Sequence, residues 1–326
     1  MGLIALVLAL FIEQARPLRA GHWADREFAV AVDWVRRHTE AGASEHGLMG
    51  WCGVMALTIG LVGLAHWGLG RLNGALQFGF DVLVLYGTLG FRRFSQAFSE
   101  IQLALAAGDA QGARESLTRW IREVNPDFIA SGSSMNEVCR QAIAYALVLA
   151  HRNVFAPIFW FLVLPGPLGP VLYRVAETLA QRWSQPAEAA LVAPFETGRG
   201  GSDEIYGHFA RRAYRVIDWL PVRLTAAAFA IVGNFEDAAY CMRGARGRPS
   251  RDPQRALVLA AGGGALGVRV ADPELEAEWG RNEAGFEWAG VPADAAALRS
   301  AVGLVWRAVV LWLVFFGMIS VASWVG

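Results

Sequence analysis

The chain has 326 residues, with 29 basic and 29 acidic side chains and a formal net charge of zero, so no global field argues for a nucleic-acid partner. Hydrophobic residues make up 55% and charged residues 18%, with a mean hydropathy of +0.34. That is too apolar for an ordinary globular enzyme and too polar for a chain lying wholly in a membrane.

Membrane spans alternating with soluble segments fit this balance. No strand pattern of useful length appears, so the expected fold class is all-α, a polytopic helical membrane protein with cytoplasmic helical segments. Every basic residue is arginine, which GC-rich coding bias explains and which excludes a P-loop lysine. Cys52, Cys139 and Cys241 lie far apart without metal or redox spacing and read as free thiols. No zinc motif is found, and no metal site is expected.

Met1 to Ile12 is apolar but short for a span, and it lacks a basic leader and a cleavage site. It reads as a retained helix ending near Glu13. The linker to Gly47 carries Arg16, Arg19, Arg26, Arg36 and Arg37, and Phe28, Val32 and Val35 recur at the spacing of a helix lying on a membrane. Leu48 to Gly70 is uncharged and long enough to cross; Ala75 to Phe91 is a second, shorter candidate holding Asp81. Only Arg71 to Gly74 separates them, which predicts a hairpin. Arg71 and Arg92 are too far along the helix to pair with Asp81, so its partner comes from elsewhere. Arginine placement puts the linker and Arg92 to Arg140 in the cytoplasm, and Arg71 and Gly326 outside.

Phe94 to Asn136 reads as soluble and helical, broken at Gly108-Asp109, where the aspartate caps a helix from about Ala110. Ser131 to Ser134 with Asn136 leads into a helix from Glu137, whose apolar part, Val138 to Ala150, ends at His151-Arg152. Asn153 to Trp183 then has no polar face over Val154 to Leu164, a PGPLGP corner at Pro165 to Pro170, and a return arm with Tyr173, Arg174, Glu177 and Arg182. In a bilayer such a corner is tolerated only where protein or a cavity satisfies the freed backbone. A central membrane hairpin is expected here.

Pro194 to Ser202 has linker composition, and Tyr206 to Arg215 is basic. DWLPVRL (Asp218 to Leu224) opens an apolar run to Val232 that is too short to cross and reads as a membrane-docked helix. Cys241 to Ala293 reads as polar, with Arg243, Arg246, Arg248 and Arg251 clustered and acids around Glu274 to Glu278. Ala301 to Val325, interrupted only by Arg307, is a terminal membrane anchor. The expected segments are 1–93 (membrane helices and interfacial linker), 94–137 (cytoplasmic helices), 138–183 (central hairpin), 184–300 (cytoplasmic helices with a docked helix near 221–233) and 301–326 (anchor).

APIFWF (Ala156 to Phe161), GPLGPVLYR (Gly166 to Arg174), ETL (Glu177 to Leu179) and DWLPVRL give the chain a resemblance to the CobD/CbiB–AmpE superfamily of inner-membrane proteins. The resemblance covers nearly the whole chain, from Glu13 and His22-Trp23 to the anchor, and implies the bacterial inner membrane. CobD/CbiB members are adenosylcobinamide-phosphate synthases, which join an amino-alcohol phosphate to the corrin side chain. AmpE members are membrane sensors associated with β-lactamase induction. Where the synthases carry E-S-x-A-E-N, this chain has Ala144, Tyr145, Ala146, Leu147, Val148 and Leu149, then Arg152 and Asn153. Their V-G-R-D-T becomes Trp120 to Val124, their N-T-L-D becomes Glu177 to Ala180, and a paired Asp-Asp becomes Tyr214-Arg215. Divalent metals between phosphates need oxygen ligands, so these losses favour a non-catalytic AmpE-like protein. LVLAAGGGALGVRV (Leu257 to Val270) points the other way, toward the synthases.

The expected function is therefore an AmpE-like signalling protein in the envelope or β-lactam response, with no catalytic residues and no cofactor. The alternative is a cobalamin-pathway synthase using Mg²⁺ and a nucleotide on a corrinoid substrate; a purely structural membrane component is a third reading. Arg152, Arg174, Glu177, Asp218 and Arg223 are the candidate ligand-binding residues, and structural ion pairing is the competing reading of the same five. Three arginines against two carboxylates leave one positive charge for an anionic small molecule or lipid head group. Membrane lipids are expected partners, with another membrane protein or a second copy left open. His22, with Glu13 and Asp25, reads as an interfacial anchor beside Trp23, and His151 as structural. Trp160, Trp183, Trp219 and Trp306 are expected at interfaces.

Overall fold

The computed structural model describes residues 2–15, 30, 32–33, 44–122, 134–164, 166–183, 200–246, 250, 252–270 and 290–325. Helices dominate throughout, and the sole β-type bridge among the described residues joins Val268 to Val291. The all-α expectation holds. The chain divides into two compact units, one of Met1–Ile12, Leu18–Leu89 and Ala156–Trp219, the other of Glu13–Pro17, Gly90–Phe155 and Leu220–Gly326.

The first unit holds most of α1 (Gly2–Ala15), then α2 (Ser44–Leu72) and α3 (Gly74–Thr88). Residues Gly47–Leu72 of α2 are long and apolar enough to cross a membrane. Asn73 joins the two helices, its side chain accepting the amide of Ala75 at 2.8 Å, so the expected hairpin forms. The second arm differs from expectation. It has 15 residues and leaves the helix at Leu89, so it reaches about 22 Å, short of a ~30 Å hydrocarbon core. Gly87, Thr88 and Gly90 are poor helix formers and end it early.

The same unit contains α7 (Ala156–Val163), α8 (Leu168–Arg182) and α9 (Gly200–Ile217). The corner between α7 and α8 turns on two glycines. Gly166 has φ +63°, a left-handed conformation that L side chains rarely adopt. At Gly169 a Cβ would lie 1.9 Å from the Trp160 carbonyl oxygen, so only glycine lets the helices approach this closely. Tyr173, Ala176, Leu179 and Trp183 of the return arm pack with Met55, Ala210 and Tyr214 in one buried cluster. Trp183 is thus a core residue, not the interface marker expected of it.

In the second unit, α4 (Phe91–Ala106) and α5 (Ala110–Arg122) are amphipathic and meet at the expected break. Gly108 has φ +74°, and Asp109 Oδ1 accepts the Gly112 amide at 2.8 Å. Leu117, Trp120 and Ile121 are the buried face of α5; Trp120 packs edge-on against Phe98 and Tyr145. Ser134 caps α6 (Met135–Ala150) by accepting the Glu137 amide.

The chain does not break at His151-Arg152. It passes through a π turn (His151–Phe155) directly into α7, giving a helix over Met135–Val163 that is apolar enough to cross a membrane. Pro157 accounts for the wider turn. It has no N–H for the carbonyl four residues back, and its ring crowds that carbonyl.

The remaining helices of this unit are α10 (Trp219–Val232, from Leu220 onward), α11 (Phe235–Ala245), α12 (Pro253–Leu266) and α13 (Ala295–Val325). The stretch Cys241 to Ala293, read as polar, contains the most deeply buried of them: Val258 to Gly264 of α12 are all buried. Three successive glycines make that packing possible. A Cβ on Gly262 would meet Leu147, one on Gly263 would meet Val270, and one on Gly264 would meet the backbone of Asp237 and Ala238, all within 2.6 Å. The terminal span runs over Ala295–Ala322, six residues ahead of the expected start because Asp294 caps it, Oδ1 accepting the Ala297 amide at 2.7 Å. Arg16, Arg19, His22, Trp23, Asp25, Arg26, Phe28, Val35, Arg36, Arg37, Arg248, Arg251 and the acids Glu274 to Glu278 lie outside the described residues, as does nearly all of the Pro194 to Ser202 linker.

Candidate functional site

The first unit holds three of the five sequence-chosen residues. Arg174, Glu177 and Asp218 flank Tyr173, which is fully buried. Arg174 Nη1 donates to Glu177 Oε2 at 2.9 Å, one helical turn away, and Gln181 donates to the other carboxylate oxygen at 3.3 Å. Arg174 Nε donates to the Thr88 carbonyl at 2.9 Å. That carbonyl belongs to the last turn of α3 and has no partner within its own helix. The guanidinium therefore binds one helix end and one buried acid together.

Tyr173 links two motifs. Its hydroxyl donates to Asp218 Oδ1 at 3.1 Å and lies 2.8 Å from the Tyr214 hydroxyl, which must then supply the hydrogen of that second contact. The hydrogens run from Tyr214 to Tyr173 to Asp218. GPLGPVLYR and DWLPVRL, far apart in sequence, are thus joined by side-chain hydrogen bonds inside one core. Asp218, expected ahead of a helix N-terminus, does stand just before α10, but its carboxylate serves the tyrosine. Arg182 pairs with Asp33 at 2.9 Å, both half-exposed.

Arg152 and Arg223 belong to the other unit. Arg152 sits in the π turn and donates to Asp252 Oδ2 at 3.3 Å. Sequence reasoning missed Asp252, although Asp-Pro ahead of an apolar run is a helix-start signal. Its other oxygen accepts the Arg255 amide at 3.0 Å and caps α12. The count of three arginines against two carboxylates thereby gains a third acid. His151 is buried, with Nδ1 2.9 Å from Thr225 Oγ1, and Thr225 in turn donates to the Pro221 carbonyl at 3.0 Å. Arg223 is exposed on α10. Partial burial of its guanidinium and, second, the like charge of Arg246 hold its pKa below the usual arginine value.

Asp81 finds the partner that sequence reasoning left open. His66 Nδ1 of α2 lies 2.8 Å from Asp81 Oδ1, both about four-fifths buried, and Gln77 reaches His66 Nε2 at 2.9 Å. The Gly166 corner covers the imidazole, since a Cβ there would lie 2.8 Å from His66 Cε1. His66→Ala is expected to destabilise the hairpin by about 2–3 kcal/mol, the scale of an ionisable side chain within a membrane helix. His66→Ala/Asp81→Leu should recover most of that loss, because it removes both polar groups. Thermal unfolding in detergent checks this, and an unchanged midpoint for His66→Ala would refute it.

The CobD/Cbib protein family matches residues 3–189. A protein of Chromobacterium violaceum named "Cobalamin biosynthesis protein CobD" is 34% identical over 219 residues, 66% of this chain and 62% of that protein's length. One of the same name from Stutzerimonas stutzeri is 30% identical over 315 residues, covering 92% of this chain and 90% of its own. The Rhodobacter capsulatus protein of that name is 24% identical over 270 residues, 82% of this chain and 77% of its own. No solved structure matches the chain. These relatives overturn the expectation of a non-catalytic AmpE-like signalling protein, and closeness to the AmpE branch is not shown. The segment that looked synthase-like, Leu257 to Val270, was the better guide. With residues 3–189 matched and a 30% identical relative aligned along nearly its full length, this membrane protein belongs to the CobD/CbiB family.

Proposed function

We propose that the protein acts in cobalamin biosynthesis as a membrane-bound synthase of the adenosylcobinamide-phosphate type, joining an amino-alcohol phosphate to a corrin carboxyl group. The observation that carries this reading is the similarity to the Stutzerimonas stutzeri protein over 92% of this chain. The joined GPLGPVLYR and DWLPVRL motifs support it, because the segments of strongest resemblance share one core. Three helices apolar enough to cross a membrane support a multi-pass placement, and the resemblance favours the inner membrane.

Forming this amide needs an activated acyl or phosphoryl group, which Mg²⁺ and a nucleotide would supply. Among the described residues no three His, Cys, Asp or Glu side chains gather as a metal cage. Glu177 and Asp218 are engaged by Arg174, Gln181 and Tyr173. The described residues thus do not fit a preformed metal site, and no step is derived through one. What the chain itself offers is binding and orientation. Arg152, about a quarter exposed, can turn from Asp252 to a phosphate or carboxylate, both of which match its fork.

Expression in a cobalamin producer lacking its own synthase should restore cobalamin-dependent growth. Arg152→Ala should then lower product formation about 10- to 100-fold, the scale of one charge-assisted hydrogen bond. Failure of the inserted wild-type protein to restore growth would overturn the proposal.

A further inference from the structure

We infer that α10, with the arginines beside it, is an interfacial helix that lies in the plane of the bilayer and binds anionic lipid head groups. Its two faces carry the argument. Pro221, Val222, Thr225, Ala226, Ala228, Phe229 and Ala230 are buried in the second unit. Leu220, Leu224, Ala227 and Ile231 are exposed and recur three or four residues apart, which places them in one stripe. Ile231 is 62% exposed, and the neighbouring Phe235 shares that value. A water-facing helix would put polar side chains there.

The length of the helix decides how lipid meets it. Trp219–Val232 has 14 residues, about 21 Å, too short to cross a ~30 Å core. An apolar stripe on a helix that cannot span, in a protein that does span, belongs in the interface plane. Charge selects the lipid. Arg223 lies between Leu220 and Leu224 on the exposed side, and Arg246 is close enough for its charge to act on it. Two guanidinium groups at the head-group level favour anionic phosphates over zwitterionic ones. His151 on the buried side ties Thr225 to the core, so the helix is fixed in rotation and keeps its stripe outward.

The test uses full-length protein in lipid nanodiscs, either phosphatidylcholine alone or with phosphatidylglycerol added. A nitroxide is placed at Leu224→Cys or Ile231→Cys in a Cys52→Ser background, since Cys52 is exposed whereas Cys139 and Cys241 are buried. Arg119→Cys, on the exposed face of α5, is the water-facing control. Oxygen should relax the labels at 224 and 231 more than an aqueous nickel chelate does, with the order reversed at 119. Adding phosphatidylglycerol should deepen both labels, and Arg223→Gln should remove that gain. Labels open to nickel in both lipids would overturn the interfacial placement, and labels shielded from both agents would mean that protein covers the stripe. Deep labels indifferent to phosphatidylglycerol would overturn the anionic preference.

Discussion

Arg174→Ala is expected to destabilise the protein by about 3–5 kcal/mol, among the largest effects of any single substitution outside the glycines. The loss has two parts. Glu177, whose side chain is only 8% exposed, keeps its charge and loses the guanidinium that neutralises it. The Thr88 carbonyl at the end of α3 loses the donor that closes that helix. Arg174→Lys should recover little, because one ammonium on a flexible stem cannot reach the carboxylate and the carbonyl with a planar fork's geometry. Arg174→Met/Glu177→Leu should recover more, since it removes the buried charge as well. Unfolding of the detergent-solubilised protein followed by tryptophan fluorescence would rank the variants. Arg174→Ala melting with the wild type would show that the clamp holds nothing.

Gly169→Ala should be worse still and yield no folded protein. The added methyl would sit 1.9 Å from the Trp160 oxygen and 2.3 Å from its carbonyl carbon, both backbone atoms that no rotamer change can move. Helices α7 and α8 would have to part, taking Tyr173 and its hydrogen bonds with them. Two neighbouring substitutions bracket the effect. Gly166→Ala forces a left-handed backbone on alanine, about 1–2 kcal/mol, and pushes against the His66 ring. Gly60→Ala meets nothing within 4 Å and should be neutral or gain up to ~1 kcal/mol of helix propensity. Monodisperse yield and protease resistance should fall in the order 60, 166, 169. A well-folded Gly169→Ala would show that the corner does not close as described.

Much of this architecture is legible in the residues. PGPLGP announces the corner because proline and glycine at that density cannot continue a helix, and Gly108-Asp109 announces the α4–α5 break for the same reason. Three things were not. Asp81 was visible but His66 was not, because a neutral histidine hides in an uncharged run. Yet the two stand seven residues before and eight after Asn73, and an antiparallel hairpin sets such positions opposite each other. The burial of α12 was hidden because glycine contributes little to a hydropathy pattern, while it is the lack of a side chain at Gly262, Gly263 and Gly264 that lets neighbours close in. The five chosen site residues were right as places where charge meets helix ends. Their partners Thr88, Tyr173 and Asp252 were missed, because a carbonyl, a phenol and a capping acid carry no pattern of their own in the sequence.

The Thr225 hydroxyl owns a single hydrogen and spends it on the Pro221 carbonyl. Toward His151 it can only accept, so the imidazole must bring the hydrogen of that contact on Nδ1. A neutral His151 is thereby held as one tautomer, with the lone pair on Nε2. The backbone turn that opens α10 thus dictates, through one hydroxyl, which nitrogen beside Arg152 is basic. Thr225→Val would release that choice while leaving the shape of the core almost unchanged, and nitrogen chemical shifts of the labelled ring would record it.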